Sequence, residues 1–218
     1  MDQQKIIDDI CALEWEMFSC VNNAGGKADC QQDPVFFKKM RVCQFENWNA
    51  PLLESYRNDL VEARQTGRNL LTEKYAWMMS WTHPEEFARI RPSLPQISQE
   101  KRELVEKIVN IQLPWEEEVD RRYPYMRAHG RPLTQDESRS RIASFEVYLS
   151  GELLSYSEKT LHAYVDWLNQ LLLGGRNMAL MVAESTARSY GFPSLAEAEG
   201  AAKKAYESKH GASAAFRA

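Results

Sequence analysis

The side chains with chemical potential in this chain are charges standing on apolar helix faces. Lys74 has Leu70, Leu71, Trp77 and Met78 as its one-turn neighbours, and residues three and four apart share a helix face. An ammonium there must pass through apolar packing or meet a buried anion, because lysine is almost never fully buried unpaired. Glu14 repeats the pattern among Ile7, Ile10, Cys11, Met17, Phe18 and Val21, near the middle of the stripe that should face the core. Glu73 lies between Leu70 and Trp77, while Glu146 and Glu152 flank a stripe of Ile142, Phe145 and Leu149 from opposite sides. Three carboxylate-bearing helices are therefore expected to converge on Lys74, with Arg68 or Arg176 as further counter-charges.

Perturbed acids and bases are what proton transfer requires, and a buried mixed-charge cluster is also what fixes a helix register. Shape separates the two. A closed cluster with every lone pair satisfied is structure, whereas one opening into a pocket lined by Trp15, Trp77 or Tyr148 is a site. In the first reading the chain is a non-catalytic helical interaction module. In the second, Glu14, Arg68, Glu73, Lys74, Glu146 and Glu152 bind a small anionic or polar metabolite, with Arg68 orienting its anionic group, in a binding protein or an enzyme.

No motif fixes a reaction. G-x-S-x-G and H-E-x-x-H are absent, which removes support for serine-hydrolase and zincin chemistry. Gly25-Gly26-Lys27 lacks the spacing of a phosphate loop. A di-iron carboxylate bundle needs E-x-x-H motifs in pairs; the nearest approach is Glu158 one turn before His162, beside Leu161, so no metal and no cofactor is expected. Cys11, Cys20, Cys30 and Cys43 form no C-x-x-C pair, and buried reduced thiols are expected at Cys11 and Cys43.

A length of 218 residues with 44% hydrophobic and 27% charged side chains suits a globular fold, expected as one domain over 1–218. A net charge of -4 gives no basic footprint, so nucleic acid is disfavoured as a partner. Asp8 and Asp9 stand where an export signal would be apolar, and no run approaches a membrane span. A cytoplasmic location without membrane association is expected.

Apolar spacing of three and four predicts an all-α bundle of about nine helices. The expected segments run from Gln4 to Val21, from Asp33-Pro34 past Cys43 with Phe36, Phe37 and Met40 inward, from Ala50-Pro51 to Thr66, and from Leu70 to Trp81. Residues 84–95 read as a loop around one turn, placing a half boundary near 84–97. Ser98 caps the next helix until Pro114 interrupts or kinks it. A loop from Pro124 to Leu133 leads into a helix from Asp136 to Leu154, with Ile142 in its core stripe. A capping box of Ser155 and Glu158 opens another, Gly174-Gly175 closes it, and Ser194 with Glu197 opens the last. The tail, 211–218, is expected to fray.

Leu53, Tyr56, Leu60, Gly67, Arg68 and Asn69 recur at Leu161, Tyr164, Leu168, Gly175, Arg176 and Asn177, an offset of 108 residues. Chance likeness of helical hairpins and duplication into two helical halves both account for this. Four segments carry a resemblance. They are Glu14-Trp15-Glu16-Met17-Phe18 with Gly25-Gly26 and Cys30-Gln31, the run from Gly67 to Met79, the run from Phe145 to Leu153, and Tyr190-Gly191-Phe192. From about Ile6 to Glu199 the chain resembles a bacterial family of small helical proteins, domain-of-unknown-function family 4125. The resemblance implies no reaction and assigns no residue a role.

Overall fold

A computed structural model describes residues 2–22, 26, 31–128, 130–135 and 142–214, the last with side chains to 209. Among them eleven α-helices and no strand occur: α1 Gln3–Ser19, α2 Pro34–Phe45, α3 Ala50–Gln65, α4 Leu70–Thr82, α5 Pro84–Ile90, α6 Gln99–Arg122, α7 Pro124–Arg127, α8 Phe145–Ser155, α9 Glu158–Leu173, α10 Met178–Ser189 and α11 Leu195–Ala214. Two exceed the expected nine. Both α5 and α7 begin on a proline, whose fixed φ and missing N–H suit the first helical position, in segments read from sequence as loops.

Other boundaries also differ from expectation. Helix α8 starts at Phe145 rather than Asp136, because the Ser144 hydroxyl accepts from Val147 N and caps it there. Ile142 therefore lies outside the helix, 61% exposed, and takes no part in a core stripe; residues 136–141 lie outside the described residues. Ser157, not Ser155, caps α9, and α6 runs through Pro114 without interruption. Helix α11 continues to Ala214. Gly25, Lys27, Cys30, His129 and positions 215–218 also lie outside the described residues. Among these helices none is long and apolar enough to cross a membrane.

Helices α1, α3, α6 and α9 supply most of the buried apolar side chains. Helix α3 packs on α9, α1 on α3, and α6 on α9. Outside these, α4 packs on α8 while α10 packs on α2. The α4–α8 approach is close because position 151 is glycine: a Cβ there would stand 2.6 Å from Met78 Cγ and 2.9 Å from the Lys74 carbonyl oxygen. Gly67 and Gly175 adopt φ of 71° and 62° at the ends of α3 and α9, a backbone that other residues adopt only at a cost. Two residues later Asn69 and Asn177 cap α4 and α10. Their amides donate to the carbonyls of Met17 and Trp115.

Candidate functional site

Lys74 and Glu14 are both buried, at 2% and 0% exposure, and they do not touch one another directly. Arg41 of α2 stands between them. Its Nε and Nη2 donate to the two Glu14 carboxylate oxygens at 2.6 and 2.5 Å, its Nη1 donates to Gln44 Oε1 at 2.7 Å, and Nη2 also reaches Glu152 Oε1 at 3.2 Å. The other Glu152 oxygen accepts from Lys74 Nζ at 2.5 Å. Two buried phenols complete the set, Tyr56 donating to Glu14 at 2.7 Å and Tyr156 to Glu152 at 2.8 Å.

Four helices deliver the four charges, and α3 adds Tyr56. The apolar stripes of α1, α2, α4 and α8 fix each backbone, and the charged tips meet where those stripes converge. Gly151 sets the reach, since only the close approach of α8 to α4 lets the neighbouring Glu152 meet Lys74.

Burial by itself would raise the Glu152 carboxyl, but the Lys74 ammonium and then the Arg41 guanidinium hold it well below the usual carboxylate range. Burial would likewise lower Lys74, and the Glu152 charge outweighs it, keeping the ammonium protonated well above the ordinary lysine value. Tyr56 and Tyr156 are pushed up by burial and by the carboxylates they serve. Cys11, raised to about 12 by burial and then by Glu14, is a neutral thiol rather than a nucleophile.

The acid limb of stability follows from Glu152. Its folded pKa lies below the 4.5 of the free side chain, so its contribution is complete above that pH and is lost as pH falls towards the folded value. Urea unfolding at a series of pH values should show stability declining below about pH 4.5, with a shallower decline in Glu152→Gln. Equal slopes in the two proteins would show that another carboxylate governs this limb. Lys74 works in the other direction, its contribution present below 10.5 and lost as pH rises through its raised value.

The network borders a cavity of about 290 Å³. Arg41, Lys74 and Arg131 face it as cations, and Phe18, Phe36, Phe37, Tyr75 and Tyr148 supply aromatic wall. Lys74 Nζ lies 3.6 Å from the Tyr148 ring centroid and the Arg131 guanidinium 4.6 Å from the same ring, cation–π contacts that leave both charges at the cavity. Among the described residues no carboxylate lines it; Glu14 lies behind Arg41, and Glu152 opens instead on a second cavity of about 160 Å³ with Gln44, Gln112 and Glu116. A larger open groove of about 760 Å³ runs between α2 and α10 and touches none of the four network charges.

Of the residues read from sequence, Glu14, Lys74 and Glu152 come together here. Arg68 and Glu73 do not: they form their own two-bond pair at 2.9 and 2.7 Å, because adjacent positions on α4 point about 100° apart and Glu73 is turned away from Lys74. Glu146, in the first turn of α8 and half-buried, joins none of these bonds. Of the expected aromatic walls only Tyr148 lines the cavity. Trp15 packs behind it on Phe18 and Phe37, and Trp77 packs on Phe87. Glu158 and His162 are each drawn to α6 and its cap, by Ser98 and Glu100. Sequence reasoning missed Arg41, although it lies one turn from both Phe37 and Phe45, the signal that marked Lys74.

A family model described as a protein of unknown function, DUF4125, matches residues 4–200. The chain belongs to this family. The match spans α1 to α10 and the start of α11, so every group in the network lies within the DUF4125 region. No curated protein and no solved structure matches the chain.

Proposed function

We propose that this chain binds a small molecule with an anionic head and a flat apolar body in the cavity beside Lys74. The observation that carries this reading is the sorting of charge: among the described residues three cations and no carboxylate line the cavity, against an aromatic wall. An anion there meets N–H donors with no negative charge facing it from the described lining, and an aromatic ring finds faces to stack on. A volume near 290 Å³ is at the small end for ligand cavities, which favours a single-ring or two-ring metabolite. Lys74 is held protonated, so it is a poor base or amine nucleophile; the site is built for binding an anion more than for moving a proton.

Thermal unfolding with 2-naphthoate tests this, with the neutral 2-naphthamide as its shape-matched control. Ligand at about 100 times its Kd adds about 2.7 kcal/mol, so the carboxylate should raise Tm by several degrees and the amide by less than half as much. Equal shifts, or none with either compound, would overturn the reading. The competing view, an interaction module with purely structural charges, draws on one observation: both carboxylates are fully engaged by protein donors. Absence of a carboxylate-dependent shift would favour it.

We also infer that the chain is built from two related halves. Buried positions Ile6, Ile7, Ile10, Cys11, Glu14 and Val21 of α1 and the segment after it match Leu104, Val105, Ile108, Val109, Gln112 and Val119 of α6 at a constant offset of 98. Packing pairs correspond as well: α1–α2 with α6–α8, α1–α4 with α6–α10, and α4–α8 with α10–α2.

A further inference from the structure

If the chain holds two related halves, the charged network has a counterpart, and there both cations and Glu14 are replaced by uncharged residues. At the 98-residue offset Glu14 corresponds to Gln112. At the 108-residue offset Arg41 corresponds to Leu149, Lys74 to Val182, Tyr56 to Tyr164, and Gln44 to Glu152. The geometry corresponds too. Tyr56 donates to Glu14, and Gln112 Nε2 donates to the Tyr164 oxygen at 3.4 Å.

The two cavities obey the same relation. Phe37, Arg41 and Lys74 line the larger one, and their counterparts Phe145, Leu149 and Val182 line the smaller. One architecture is thus built twice, once around two cations and once around a leucine and a valine. The second copy is an internal demonstration that this helix arrangement packs without ions at those positions.

We propose that Arg41 and Lys74 are specificity determinants for the ligand's anionic group, held in place by Glu14 and Glu152, and that the four charges together are dispensable for the fold. This rests on the binding reading above. Two buried cations exposed to a cavity on one side and neutralised from the other form a recess in which an incoming carboxylate or phosphate finds pre-oriented donors. A network kept only for packing would not need cations at positions where the second copy packs with a leucine and a valine.

The test replaces the four charges by their counterparts: Glu14→Gln, Arg41→Leu, Lys74→Val and Glu152→Gln together, beside Arg41→Leu and Lys74→Val alone. Each single variant leaves a buried carboxylate short of a partner, whereas the quadruple variant removes all four charges at once. The quadruple protein should keep the wild-type circular dichroism spectrum, melt above both single variants, and lose the Tm shift that 2-naphthoate gives the wild type. A quadruple variant that is unfolded, or melts below the single variants, would show that the charges are structural and overturn the proposal. A folded one still stabilised by naphthoate as much as the wild type would remove Arg41 and Lys74 as determinants. Should naphthoate fail on the wild type, the binding reading falls, and the order of melting temperatures still decides whether the charges are dispensable.

Discussion

Lys74→Met should destabilise the protein by about 3–5 kcal/mol, the range for stripping one partner from a buried ion pair. Methionine keeps the stem that packs among Leu70, Leu71, Trp77 and Met78, so the loss isolates the charge. Glu152 would retain only the longer 3.2 Å bond from Arg41 and the Tyr156 hydroxyl. For a chain of 218 residues each kcal/mol moves Tm by about 2–4 °C, so a fall of roughly 10 °C is expected at neutral pH. The deficit should shrink in acid, where Glu152 takes up a proton and no longer needs the ammonium. A change in Tm below about 2 °C would mean that Arg41 and Tyr156 suffice for Glu152.

Gly151→Ala should cost at least as much as an ordinary overpacking change, about 3 kcal/mol, although it adds a single methyl group. The new Cβ would stand 2.9 Å from the Lys74 carbonyl oxygen, and a helical carbonyl cannot swing aside as a side-chain tip can. Helices α4 and α8 must then part, and with them Lys74 and Glu152. The control is Gly200→Ala in α11, where nothing lies within 4 Å of the added carbon; there alanine should be neutral or gain up to about 1 kcal/mol from helix propensity. Urea midpoints of the two variants measure the contrast. Similar midpoints would show that the α4–α8 approach tolerates a wider spacing.

Much of this was legible in the residues themselves. Lys74 and Glu14 announced their burial because each has apolar neighbours one turn away on both sides, and burial obliges a partner. Arg41 carries the same signal between Phe37 and Phe45, while Phe36, expected inward beside Phe37, is 44% exposed. Glu146, Glu73 and Arg68 show the opposite failure. Glu146 and Glu73 each flank an apolar stripe, where a position turns inward or outward according to which helix lies beside it, and Arg68 stands in the turn between α3 and α4, where it follows Glu73.

By itself the sequence determined that the chain folds into helices, where most of them are capped, and that particular charges must be buried on them. These are consequences of interactions within one or two turns: periodicity, proline, glycine and the side chains that bind free N–H groups. Only the tertiary structure decided who pairs with whom. Arg41 meets Glu14 across 27 positions, Lys74 meets Glu152 across 78, and Arg41 meets Glu152 across 111. Such meetings depend on how whole helices are set against one another, which is fixed by packing summed over the entire core and by one glycine that lets two backbones close.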